Sequence, residues 1–217
     1  MRTDTSSGML ANLPGHGRTA RDGRSLGIPR QAETLGAWLA AAGIDRPHLV
    51  ANSLGCQVVL HLAAGPAADV RSLMLVGPTM DPAASTAPRQ AARLLHGAVY
   101  ESLPLVTLIA AEQLHRPTQG IRELQSGLDH DTEATARRVT MPTTIVRGAR
   151  DRVAPLRWIR QLARWLPNAR VIDLPVGAHA VHASPPTAGG GATDSVRTTA
   201  AGPRPRPAQR TPAAVAH

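Results

Sequence analysis

At 217 residues the chain has room for one α/β domain with a sizeable core and scarcely for two; 42% of it is apolar, but with no Phe, one Tyr and three Trp that core must be built from Leu, Val, Ile and Ala. The net charge of +9 rests on 24 basic side chains, all Arg, spread along the chain without a nucleic-acid motif, so a solvated basic surface is expected and no specific nucleic-acid partner. A single Cys excludes an internal disulfide framework, no apolar run is long enough to cross a membrane, and the start lacks the basic-then-apolar layout of a signal peptide, which together predict a cytoplasmic protein with no membrane partner.

Gly8-Met9-Leu10-Ala11 reads as the end of a short strand, and Leu13-Pro14-Gly15-His16-Gly17-Arg18-Thr19 as a loop forced by its glycines and proline. From Pro29 to Ala42, Ala32, Leu35, Trp38, Leu39 and Ala42 recur at steps of three and four, the period of a helix face, with Pro29 in the first turn and Gly43 as the stop. His48 to Ala51 is a short strand and Leu54 to Ala64 an apolar helix closed by Gly65. The turn between them, Ala51-Asn52-Ser53-Leu54-Gly55, lifts one serine hydroxyl clear of the backbone between small residues, the pattern of a nucleophile elbow. The competing reading of Ser53 is an ordinary helix-capping serine. Cys56, beside it, reads as a small buried residue.

Arg71 to Gly77 and Thr143 to Gly148 read as buried strands, Leu156 to Leu166 as a helix and Arg170 to Leu174 as a fourth strand. Strands alternating with helices predict a parallel sheet flanked by helices, whose functional residues gather at the carboxyl ends of the strands. Ser53, Asp151 and His179 occupy three such ends, with Asp81 as a rival acid and His182 as a rival base. The other histidines, His16, His48, His61, His96, His115, His130 and His217, show no metal-ligand spacing and read as loop, surface or core residues, so no metal and no cofactor is expected. Between Pro78 and Pro142 the alternation stops for a mostly helical excursion, including Arg89 to His96 and Leu103 to His115, whose length suggests a lid at about 79–142. The domain is therefore expected to span 1–186, and the Pro-, Gly-, Ala- and Arg-rich stretch 187–217 to be a disordered tail.

Taken together, Leu13 to Thr19, Ala51 to Gly55, Leu75-Val76-Gly77-Pro78-Thr79, Arg147 to Pro155 and Gly177-Ala178-His179 resemble, in order, the motifs of the α/β-hydrolase fold proteins, specifically the lidded esterase, haloperoxidase-like and C–C hydrolase group. The resemblance implies an incomplete α/β-hydrolase fold and a Ser-His-Asp triad of Ser53 as nucleophile, His179 as base and Asp151 as its acid partner, with the Leu54 amide as an oxyanion donor. It also implies a small, mainly apolar substrate cleaved at an ester, lactone or carbon–carbon bond, with Leu94, Leu95, Leu103, Leu105, Val106, Leu108 and Ile109 of the lid supplying apolar surface. The family's earlier strands and its H-G-type oxyanion loop would lie before Met1, and its helix after the histidine loop is replaced by the tail. The alternative is accordingly a truncated, catalytically impaired derivative, or a small-ligand-binding protein without that loop.

Overall fold

Glycine and proline punctuation sets the first helix. Gly27 precedes it, Pro29 lies in its first turn, and Gly43, at φ +64°, ends it, giving α1 at Ile28–Ala41. The computed structural model describes residues 26–180 except 67–68, 105, 108–109 and 112–116, together with Met9, Ala11 and Leu13. Ile28, Ala32, Leu35 and Leu39 form the buried stripe of α1, whereas Trp38, predicted to belong to it, stands at its margin, 36% exposed.

Four strands follow in the predicted places: β1 at His48–Asn52, β2 at Ser72–Val76, β3 at Thr143–Gly148 and β4 at Ala169–Leu174. All pair in parallel, in the order β1-β2-β3-β4, with Leu75 beside Ala51 on one side and Ile145 on the other. Parallel neighbours need crossovers, and α2 at Gly55–Ala63 and α6 at Leu156–Trp165 supply two of them. Helix α2 packs on β1 and β2, α6 on β3 and β4, and α1 lies against α2. Because side chains alternate along a strand, Leu73, Leu75 and Ile145 join the main core under these helices. Met74, Val76 and Val146 form a smaller cluster with Leu174 on the opposite face. The central strands β2 and β3 are buried almost throughout, but β1 is an edge among the described strands and leaves Val50 52% exposed.

Between β2 and β3 the chain leaves the sheet for a short 3-10 turn at Pro82–Ala84, α3 at Ala87–Ala98, α4 at Pro117–Asp129 and α5 at Thr132–Ala136. Of the helix predicted at Leu103 to His115, the described residues Leu103, Pro104, Val106, Thr107, Ala110 and Ala111 are helical, and the rest lie outside the described residues. Leu94, Leu95 and Leu103 are exposed, while Leu105, Leu108 and Ile109 fall outside the described set. So do Pro14 to Thr19, His182 and the predicted tail 187–217. Of Gly8 to Ala11, read as the end of a strand, Met9 and Ala11 are described and lie in no strand, while Gly8 and Leu10 lie outside the described residues. No described helix is long and apolar enough to cross a membrane.

The excursion is tied to the rest by buried polar contacts. Ile28 N–H donates to Ser126 Oγ at 2.9 Å, and Gln57 Nε2 on α2 donates to Gly127 O at 3.1 Å and Thr132 Oγ1 at 2.7 Å. His61 and His130 meet ring nitrogen to ring nitrogen at 3.2 Å, which requires one to donate and the other to accept. Burial, and next the charge of His61, pull the His130 pKa from 6.5 down to about 4. As pH falls below 6.5 the unfolded chain takes up a proton that the folded chain refuses until about 4, so stability is lost across that window and levels off beneath it. Allowing for the partial exposure of the ring, the loss is about 1 kcal/mol. Denaturant melts at the two ends of the window should show it, and His130→Gln should reduce the difference by that amount; an unchanged difference would count against the assignment.

Candidate active site

The site begins with backbone strain. Ser53 follows β1 directly and sits at φ +55°, in the left-handed region that a residue with a Cβ rarely occupies. Its N–H donates to Val76 O at 3.0 Å, and Cys56 N–H donates back to Ser53 O at 3.1 Å as α2 starts. Strand pairing on one side and helix initiation on the other thus hold the turn in its unfavourable conformation. Leu54 forms the N-terminal cap of α2, so its amide belongs to the helix end where backbone N–H groups lack intrahelical acceptors.

The second loop follows β3. Asp151 is 1% exposed; its Oδ1 accepts from the amides of Val153 at 2.9 Å and Ala154 at 2.8 Å, leaving Oδ2 free to face elsewhere. The third loop follows β4, where His179 presents Nδ1 to Asp151 Oδ2 at 3.1 Å and Nε2 to Ser53 Oγ at 3.0 Å. A carboxylate only accepts, so Nδ1 carries the proton donated to Asp151, and Nε2 is left to accept from the serine hydroxyl. Serine, imidazole and carboxylate, far apart along the chain, stand in one hydrogen-bonded row.

Two residues that the sequence reading left without a role build this row. Gly77, at φ +52° after β2, lies under the His–Asp pair: a Cβ there would stand 2.9 Å from His179 Nδ1 and 3.0 Å from Asp151 Oδ2. Arg147, on buried β3, holds the acid loop from beneath. Its Nε donates to Ala154 O at 3.0 Å, and its terminal nitrogens donate to Ala149 O and Asp151 O, both at 3.2 Å, and to Asp173 Oδ1 at 2.8 Å. An arginine after Ile145 and Val146 in a strand read as buried was the available signal, since a buried guanidinium demands such partners.

The rival acid, Asp81, is buried elsewhere. Its Oδ2 pairs with Arg93 and Arg157, each at 2.8 Å, and its Oδ1 accepts the Ala83 amide at 2.9 Å, so both oxygens are taken and neither meets His179. Cys56 is fully buried, its Sγ donating to Ala51 O at 3.4 Å, and burial pushes its thiol well above the usual range. It stays a protonated packing residue. A cavity of about 730 Å³ opens between α1, α2 and α4, lined by His61, Arg122, Asp129, His130 and Arg138 among others, and contains none of the three residues in the row.

Comparisons with known proteins give the chain its relatives. The sequence pattern of the Alpha/beta hydrolase family matches residues 8–188. The chain is 30% identical over 198 residues to a pimeloyl-[acyl-carrier protein] methyl ester esterase of Chromobacterium violaceum, covering 79% of this chain and 76% of that protein. Among solved structures, a hydrolase from Oleispira antarctica superposes with a TM-score of 0.70 at 12% identity, covering 86% of this chain and 78% of that one. One from Pseudomonas aeruginosa gives 0.67 at 22%, covering 88% and 78%. At such identities the structural likeness speaks for the fold alone.

Proposed function

The chain belongs to the alpha/beta hydrolase family, and from that premise we propose that it is a serine hydrolase cleaving an ester bond of a small, mainly apolar acyl substrate, with Ser53, His179 and Asp151 as its catalytic triad. The observation that carries this reading is the hydrogen-bonded row from Ser53 Oγ through the His179 ring to Asp151 Oδ2, with the serine held at positive φ. The ester is favoured over the lactone and the carbon–carbon bond because the relative at 30% identity is an ester hydrolase by name. The apolar half of the reading draws on Leu94, Leu95 and Leu103, which leave apolar surface exposed on and just beyond α3.

In this mechanism Ser53 Oγ attacks the ester carbonyl carbon while its proton passes to His179 Nε2. Asp151 steadies the imidazolium and fixes the tautomer, and the Leu54 amide faces the oxyanion. Collapse of the tetrahedral adduct breaks the bond to the alkoxy group, which leaves as an alcohol with the proton from Nε2. Water then gives a proton to His179 as its oxygen attacks the acyl-serine, and the acid departs as Ser53 regains its hydrogen. The direct test is labelling by a fluorophosphonate probe, which needs an activated serine, with peptide mapping to find the modified residue. Labelling confined to Ser53, and turnover of p-nitrophenyl esters from acetate to octanoate, are the expected results; folded protein that takes no label at Ser53 would end the proposal.

The cleared space at Gly77 makes a separate prediction. Gly77→Ala adds a methyl within 3.1 Å of three atoms of the His–Asp pair. Displacing that pair by even about 1 Å should lower kcat about a hundredfold. The left-handed backbone should add about 1 kcal/mol of instability. Kinetics and melts on the purified variant check both, and a kcat within threefold of the parent, taken as roughly no change, would show that the pair tolerates the methyl.

A further inference from the structure

Three contacts converge on the catalytic loops from one short segment at the end of α3. Gly97, buried in the last turn of that helix, comes so close to the acid loop that a Cβ would stand 2.8 Å from Val153 Cγ2, and Val153 N–H is one of the two donors that hold Asp151 Oδ1. Tyr100 carries the Arg152 guanidinium over its ring, 5.3 Å from the centroid, and Arg152 is the neighbour of Asp151. Glu101 reaches across to the histidine loop, where its Oε1 accepts the N–H of Ala180 at 2.9 Å, and Ala180 is the neighbour of His179. The segment is itself a closed turn, with Tyr100 N–H donating to Gly97 O at 2.9 Å and Glu101 N–H to Ala98 O at 3.2 Å.

We propose that Gly97 to Glu101 acts as a strap that positions the two loops against each other, with Glu101 as a positioning residue for His179. The proposal rests on the serine-hydrolase reading above for its catalytic consequence, but not for its geometry. His179 lies in the turn after β4, two residues beyond Gly177 at φ +93°, whose carbonyl accepts Arg150 N–H at 3.0 Å and so ties the start of the turn to the acid loop. On the far side of the histidine the Ala180 amide donates a charge-assisted bond to the Glu101 carboxylate, a restraint on where the imidazole stands that adds to the ring's own bonds to Asp151 and Ser53. Both the residue that orients the base and the base itself are thereby held, through their neighbours, by the segment that ends and follows α3. Glutamine keeps an acceptor oxygen in the same place; alanine removes it.

The test compares Glu101→Ala and Glu101→Gln with the parent on two arms. One is the rate of fluorophosphonate labelling at Ser53, with kcat and KM on a p-nitrophenyl ester. The other is the rate of diethyl pyrocarbonate modification at His179, followed by mass spectrometry, which reads the exposure of the imidazole without any turnover. Glu101→Ala should label about tenfold more slowly, lose kcat with KM changed by less than about twofold, and expose His179 to modification about fivefold faster. Glu101→Gln should recover most of each loss. Tyr100→Leu, which removes the ring under Arg152 together with its contact to His96 but leaves Glu101 in place, should slow labelling by about threefold and supplies a second route if the alanine variant does not fold. Glu101→Ala at parent rates on both arms, or Glu101→Gln as impaired as Glu101→Ala, would overturn the strap. A parent that takes no label at Ser53 would sink the hydrolase reading instead, and the His179 arm would still decide the strap.

Discussion

Ser53→Ala should abolish ester hydrolysis, lowering kcat by about four to six orders of magnitude while leaving the fold intact. The size of the effect follows from the mechanism: without Oγ there is no acyl intermediate, and the neighbouring groups retain only the modest acceleration that an oxyanion donor and substrate binding provide. Little else should change. Alanine at φ +55° meets the same backbone strain as serine, and the His179 side chain, 13% exposed, can take water in place of the lost hydroxyl. Stability should therefore stay within about 1 kcal/mol of the parent. Steady-state kinetics beside denaturant melts read the two quantities separately, and a variant that keeps a tenth or so of the parent kcat would show that another group attacks the substrate.

Asp151→Asn should cost about four orders of magnitude in kcat/KM, with almost no change in shape. The reason lies in the two amides that bind Oδ1. Val153 and Ala154 both donate to that oxygen, so the asparagine carbonyl must take its place and the amide nitrogen must face His179. Nδ1 is then forced to accept, the ring proton moves to Nε2, and the imidazole presents a donor to a serine from which it was to take a proton. The loss should fall on kcat more than on KM, because orientation of the base matters in the transition state and not in substrate binding. A loss of less than about tenfold would mean that the tautomer is not set by this carboxylate.

Much of this was legible in the chain. The apolar cores of β2 (Leu73 to Val76) and β3 (Ile145 and Val146) read as buried strands because burial on both faces removes alternation, and Thr143 to Gly148 falls where expected to the residue. The positions of Ser53, Asp151 and His179 at strand ends followed from the same pattern. Partners made of backbone were not legible. Arg147 addresses the carbonyls of Ala149, Asp151 and Ala154, and Glu101 the amide of Ala180; a main-chain group leaves no mark in sequence. The preference for Asp151 over Asp81 came from the resemblance, and the pattern of the chain alone could not show what occupies Asp81, a pair of arginines from α3 and α6 brought together only by folding. The clearance at Gly77 was likewise invisible, since the atoms that need it belong to two later loops.

The strictly sequential order of the sheet has one further consequence. The pairings of β1 with β2 and of β3 with β4 each close over a single crossover, but Leu73 reaches Thr143 only across the whole helical excursion, and longer closures carry a larger entropic penalty. That central seam divides the molecule into two βαβ halves, one carrying the hydroxyl and the other the imidazole and the carboxylate. Whatever prises the halves apart by an ångström silences the chemistry while each remains internally whole, so turnover is a finer gauge of their docking than any measure of helix or strand content.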